Sequence, residues 1–313
     1  MNINTLYWEI TGACNQACKH CHIGGKSSSK QRTLEEDLFR IDYFAASGVQ
    51  NLLLTGGEPL LNKNIYRIIK KARIHDMDTA VLTNGTLINE ERAEKIADSK
   101  ANAVQISIDG LYGLHDAVRG YGAFNLVERA ISNLKKNEVM PLMKLTITKM
   151  NIANVIDVID YCDLNELRLN LSLAQELGSV ESNSIMPSPQ EYFKLFLNLY
   201  NTKKKRNLKL TLPDFSMEEY LDSEVPKSGC SAGCTMATIT KDDKVVPCVF
   251  MSGLKLEEAI DFKIGCLSEG NDLFSLLQHH NSTEFGCPLR KFRYGRDLYS
   301  VYEFKEYLEN GTI

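Results

Sequence analysis

No stretch of this chain is apolar for long enough to cross a bilayer, and no charged-then-apolar leader opens it. Both absences point to a cytoplasmic protein with no membrane role. Charge of one sign is lacking too: 36 Lys and Arg against 40 Asp and Glu leave −4, too little to gather nucleic acid or anionic lipid. The one basic run, Lys203 to Arg206, closes a predicted helix, where cations suit the negative end of the helix in solvent. Cysteine, by contrast, is plentiful. There are nine, an odd number, which in a cytoplasmic chain argues for metal or redox use over a disulfide framework. A length of 313 residues with 43% apolar and 24% charged side chains fits an ordinary globular enzyme, built as one large barrel or as a barrel with an appendage.

Short apolar runs alternate with amphipathic segments from residue 6 to about residue 205. Strands are predicted at Leu6–Ile10, Asn51–Thr55, Thr79–Thr83, Ala103–Ile108, Leu142–Thr148 and Leu167–Leu173. Thr33 with Glu36 forms a capping box ahead of Leu34, Leu38, Ile41 and Ala45, and Gly48 stops that helix. Ser188, Pro189 and Glu191 mark another helix start. Repeated strand–helix alternation means parallel strands with right-handed crossovers. Six units do not complete an eight-stranded barrel, so the fold class is α/β, an open six-strand partial barrel over residues 1–212. Beyond it Pro213, Pro226, Gly229 and Gly233 punctuate the chain, and cysteines recur at 230, 234, 248, 266 and 287. Residues 213–313 read as a second, small cysteine-rich unit in which a metal cluster acts as a staple. Ala237–Lys241 and Lys244–Val249 read as a hairpin within it.

In a parallel barrel, function gathers where the strands end. The unusual residues of this chain fall there repeatedly. Cys14, Cys18 and Cys21 follow the first strand, Thr55-Gly56-Gly57-Glu58-Pro59 the second and Thr83-Asn84-Gly85 the third. Ser107 and Asp109-Gly110 close the fourth, and Arg119-Gly120 comes soon after. Three close-set thiolates suit iron–sulfur ligation and leave one corner of a cubane without a protein ligand. A zinc site is the rival for such cysteines, but His20 and His22 stand too close in sequence to complete a relaxed tetrahedron. Paired glycines let backbone approach a ligand, Glu58 offers a carboxylate to an ammonium, and Arg119 can grip a carboxylate with two donors. Ser107 and Asp109 suit hydroxyls or amines. Tight turns are the plain alternative for each loop taken alone. Cys162 falls with Val155 and Ile159 on one apolar helix face and belongs to the core.

The spacing CxxxCxxC, followed by GGEP, TNG, SIDG and RG, resembles the radical S-adenosylmethionine (radical SAM) superfamily. The resemblance implies a partial barrel, a 4Fe–4S cluster on Cys14, Cys18 and Cys21, and S-adenosylmethionine chelated at the open iron and cleaved to a 5′-deoxyadenosyl radical. It places His20 near the adenine, Glu58 with Gly56, Gly57 and Pro59 at the methionyl amino group, and Ser107 and Arg119 at the methionyl end, with Asn84 and Asp109 lining the same site. Residues 213–313 resemble the SPASM or Twitch extension. By that resemblance Cys230, Cys234 and Cys248 hold one auxiliary 4Fe–4S cluster with Cys287 as fourth ligand. Cys266 competes for that place, or serves as a free thiol that returns hydrogen to the substrate. Two features depart from the family pattern: no cysteine follows Cys287, and Val249 stands where sulfatase-maturing relatives carry an aspartate.

The leading expectation is oxidative crosslinking or epimerisation of a ribosomally made peptide, with a flavodoxin or ferredoxin as low-potential electron donor. No peptide-recognition region is read ahead of Cys14, so a separate recognition protein is expected. A small-molecule oxidoreductase or epimerase of a biosynthetic pathway is the alternative, and a non-enzymatic iron–sulfur carrier or redox sensor a remoter one. Glu58, Ser107 and Arg119 speak against the last, since a carrier needs no cofactor pocket.

Overall fold

The computed structural model describes residues 3–21, 23, 31–175, 185–225, 231–232, 235–253, 265–266 and 298–310. His22, Cys230, Cys234 and Cys287 lie outside the described residues. The six predicted strands all form, as β1 (Thr5–Thr11), β2 (Asn51–Gly56), β3 (Asp78–Thr83), β4 (Ala103–Ser107), β5 (Leu142–Ile147) and β6 (Arg168–Leu173). They lie side by side in sequence order and parallel, extended past β6 by the short β7 (Leu210–Thr211). Between them run α1 (Leu34–Ala46), α2 (Ile65–Ile74), α3 (Glu90–Ser99), α4 (Tyr112–Arg119), α5 (Ala123–Lys136), α6 (Val155–Leu164) and α7 (Pro189–Arg206). Both predicted capping boxes are present: Thr33 with Glu36 on α1, and Ser188 with Glu191 on α7.

Alternation along the strands separates two faces. Leu52 and Leu54 on β2, Val104 and Ile106 on β4, Met143, Leu145 and Ile147 on β5, and Leu169 and Leu171 on β6 are buried, sharing one core with Ile68, Val127, Leu134, Val158 and Cys162 of the helices. Cys162 is thus the core residue its helical position predicts. The opposite face carries Gln105, Ser107, Lys144, Thr146, Asn170 and Ser172 at intermediate exposure and is far more polar. The sheet therefore has a helix-covered side and an inner, concave side.

Beyond residue 212 the described strands continue the same sheet. The predicted hairpin forms as β8 (Met236–Ile239) and β9 (Lys244–Val246), and β8 runs parallel to β1, with Thr5 opposite Met236 and Trp8 opposite Ile239. Cys266 lies in β10 (Gly265–Cys266), which pairs antiparallel with β9 at the sheet edge. After α8 (Phe215–Ser223) the chain returns as α9 (Val301–Asn310), whose Phe304 packs on Phe193 and Phe196 of α7. The basic run ends α7 as expected, with Lys203 paired to Glu218, Lys204 to Asp222 and Arg206 to Asp160 and Asp163. Among the described residues no helix is long and apolar enough to cross a membrane.

Candidate active site

The cysteine loop leaves β1 and crosses the carboxyl ends of its neighbours. Hydrogen bonds fix it at each crossing. The Gly57 and Glu58 amides donate to the Thr11 and Ala13 carbonyls at 2.9 and 2.8 Å. Asn84 Nδ2 donates to Asn15 Oδ1 at 2.9 Å, and Asn15 Nδ2 to Thr86 Oγ1 at 2.8 Å. The Lys19 amide donates to the Val118 carbonyl of α4 at 3.1 Å. Cys14, Cys18 and Cys21 are half-buried and outside any disulfide. Among the described residues, no three His, Cys, Asp or Glu side chains are gathered into an ion-holding arrangement.

Several side chains named from sequence have employment inside the protein. The glycine pair was assigned to the approach of a ligand. In the structure the space belongs to the chain itself: a Cβ on Gly56, whose φ is +132°, would lie 2.2 Å from the Thr11 carbonyl oxygen, and one on Gly57 would lie 2.2 Å from that of Ala13. The Glu58 carboxylate, fully buried, accepts from Thr83 Oγ1 at 2.7 Å, the Asn84 amide at 2.8 Å and the Leu60 amide at 3.1 Å. A carboxylate has about four acceptor positions, so three of them are filled. Burial pushes Glu58 up from the ordinary carboxylate range against these donors. Pro59, itself buried with Leu60, opens a 3-10 turn behind it. Asn84, also buried, ties the loops of β1, β2 and β3 together.

The second group gathers on α4 and the end of β4. Asp109 is fully buried, Arg119 Nε donates to its Oδ2, and His20 Nε2 lies 2.9 Å from the same oxygen. Burial would raise the Asp109 carboxyl, but Arg119 and then His20 hold it well below its ordinary range. Arg119 Nη1 lies 3.8 Å from Cys18 Sγ. Burial pushes the Cys18 thiol up to about 11, opposed by the charge of Arg119. The predicted grip of Arg119 on an outside carboxylate is thus shared with a carboxylate of the chain. His20, Asp109 and Arg119 come together as the sequence suggests, while Ser107 ends β4 on its inner face.

Sequence reasoning missed the partners that hold these groups. His115 Nδ1 accepts from the Asp109 amide at 3.2 Å, and burial pushes this ring down to about 4, with Arg119 acting in the same direction. Asn15 and Thr86 were also overlooked, although polar residues beside a cysteine motif or a TNG turn are natural loop anchors. Burial drives the Tyr7 phenol of β1 up to about 12, and the charge of Cys248 acts in the same direction.

A cubane asks for thiolates, and the donor set of the loop fits one: three thiols on one short pinned segment, with a guanidinium against the middle one.

Known proteins share this pattern. The profile of the radical SAM superfamily matches residues 8–164, half of the chain. The AdoMet-dependent heme synthase of Methanosarcina barkeri is 27% identical over 281 residues, covering 79% of this chain and 76% of that protein. The mycofactocin maturase MftC of Mycolicibacterium smegmatis is 37% identical over 131 residues, 41% of this chain and 33% of that protein. The first curated relatives are matched over 40% of their own length. SuiB of Streptococcus suis, solved bound to its precursor peptide SuiA, superposes with a TM-score of 0.72 at 16% identity, covering 90% of this chain and 65% of that one, a likeness of fold.

Proposed function

This chain belongs to the radical SAM superfamily, whose members use a 4Fe–4S cluster and S-adenosylmethionine, and from that premise we propose that it removes hydrogen from an unactivated C–H bond of a ribosomally made peptide. The observation that carries the reading is the cysteine loop bolted across the ends of β1, β2 and β3 and onto α4, with Arg119 against Cys18. Cys14, Cys18 and Cys21 would hold the cluster. When bound, cluster and cofactor together supply the radical that takes the substrate hydrogen. The protein's own part is placement. Arg119 sets a positive charge beside the Cys18 sulfur and so favours the thiolate that ligation requires. Asp109 fixes Arg119 and His20 in turn, and the His115 ring fixes the Asp109 backbone.

Residues 213–313 are proposed as a Twitch-like unit whose Cys230, Cys234 and Cys248 hold an auxiliary cluster. Cys287 is its fourth ligand, with Cys266 as competitor or hydrogen donor. The pairing of β8 with β1 supports it, since it sets the segment that leads to Cys248 beside the strand that feeds the cysteine loop. Oxidation or epimerisation of the product, a flavodoxin or ferredoxin donor, a separate recognition protein and a cytoplasmic setting complete the reading. Likeness to the mycofactocin maturase at 37% identity favours a maturation reaction, which a peptide substrate suits. Likeness to a heme synthase over 79% of this chain favours the second reading, a small-molecule substrate.

The test is anaerobic reconstitution followed by iron counting and 5′-deoxyadenosine assay. About eight irons per chain and deoxyadenosine formation support the reading. About four irons remove the auxiliary cluster, and no deoxyadenosine removes the enzyme.

A further inference from the structure

The inner face of β5 carries one ammonium, Lys144, which nothing among the described residues neutralises. Lys144 lies opposite Ser107 of β4 and Asn170 of β6. One step toward the rim, Thr146 lies opposite Ser172, and one step inward stands Gln105. None of these neighbours is acidic. Among the described residues Lys144 forms no ion pair, and burial alone pushes its amine down to about 8. Asp109, just beyond the end of β4, is taken by Arg119 and His20. A second observation marks the same wall: Ser172 Oγ is buried and has no hydrogen-bond partner among the described residues. Unpaired charge and unmet hydroxyl both cost stability in the free protein, and both are met at once by an acceptor-rich anion.

We propose that Lys144, flanked by Asn170 and Ser172 of β6, is a binding site for a carboxylate group of the substrate inside the barrel. The inference deepens the proposed function by naming the chemistry of the substrate, and it rests on that reading. A carboxylate fits because a lysine supplies a point charge and the hydroxyl and amide groups beside it add donors. Two sources carry that group: an acidic residue of a peptide, or a carboxyalkyl arm of a small molecule such as a porphyrin.

The test is equilibrium binding to the cluster-loaded full chain with S-adenosylmethionine present. The probes are a glutamate-bearing tripeptide against its glutamine counterpart, and a porphyrin propionate against its methyl ester. One acid is expected to bind at least tenfold tighter than its uncharged partner, and the pair that discriminates identifies the source. Lys144→Met should erase the preference, Lys144→Arg should keep part of it, and both should bind S-adenosylmethionine within twofold of the parent. The proposal is overturned if neither acid is preferred, if the preference survives in Lys144→Met, or if Lys144→Met weakens S-adenosylmethionine tenfold, which would give the amine to the cofactor. A chain that prefers the acid yet forms no deoxyadenosine contradicts the proposed enzyme, while one that forms deoxyadenosine without preferring an acid contradicts only this site.

Discussion

The two cysteine-bearing regions are attached to the same strand by different physics. The loop of Cys14, Cys18 and Cys21 leaves the carboxyl end of β1 and is held mainly by short hydrogen bonds between backbone and amide groups on β2, β3 and α4, with the buried Asp109–Arg119 pair beside His20 and Cys18. The hairpin bearing Cys248 joins the side of β1 by a parallel ladder and by charge. Arg32 and Arg40 reach Asp243 at 3.4 and 2.6 Å, Arg32 meets the buried Asp37 at 3.1 Å, and the Lys241 amide donates to the buried Glu9 carboxylate at 3.0 Å. A loop bound by directional hydrogen bonds keeps one geometry, as a redox site that aims a cofactor needs. An ionic latch holds a unit in place with more tolerance and responds to salt.

The comparison breaks most sharply at the first cysteines. Alanine at Cys14, Cys18 or Cys21 should lower 5′-deoxyadenosine formation by at least a thousandfold, read by chromatography. Alanine at Cys248 should leave cofactor cleavage and remove about four irons. If the order is reversed, the roles given to the two regions are reversed as well.

Next in size is Asp109→Asn, which leaves the Arg119 charge buried and unpaired and should cost about 3 kcal/mol or more in thermal or denaturant unfolding. The sign of its pH dependence follows from the depressed carboxyl. The stability is present above the unfolded aspartate value near 4 and is lost as pH falls below it, so parent and variant should converge in acid. Glu58→Gln places an amide where three donors point and should cost about 1–3 kcal/mol.

Lys144→Met should change stability the other way. The folded amine, near 8, lies below the unfolded value of about 10.4, so its charge weakens the free fold at neutral pH. Its removal should add about 1–3 kcal/mol at pH 7, a gain that fades as pH rises through 8 toward 10.5. Smallest is the ionic latch: Arg40→Gln should shift the unfolding midpoint slightly and lose its effect in high salt.

Legibility in the sequence followed the range of the interactions. Strand alternation and capping boxes are local, so β1 to β6 and the starts of α1 and α7 were readable to within a residue or two. Clustered cysteines and glycines marked the rim. The pairing of β8 with β1 joins residues more than 200 positions apart, and no local pattern announces it. Roles within the rim were harder still. Glu58 and Gly57 carry the residue types that ligand binding needs, yet those types serve equally well for internal bonding, and only geometry separates the two uses. Lys144 had a signal, a charged residue at an inward position of a strand buried on its other face, but its meaning depended on what β4 and β6 place beside it.

The most direct test of the account is electron paramagnetic resonance of the reduced, cluster-loaded chain before and after S-adenosylmethionine is added. Ligation by Cys14, Cys18 and Cys21 alone predicts a changed signal, and the change should vanish when any of the three is replaced. A spectrum that the cofactor leaves untouched would contradict the central claim that this loop presents an iron–sulfur cluster to S-adenosylmethionine.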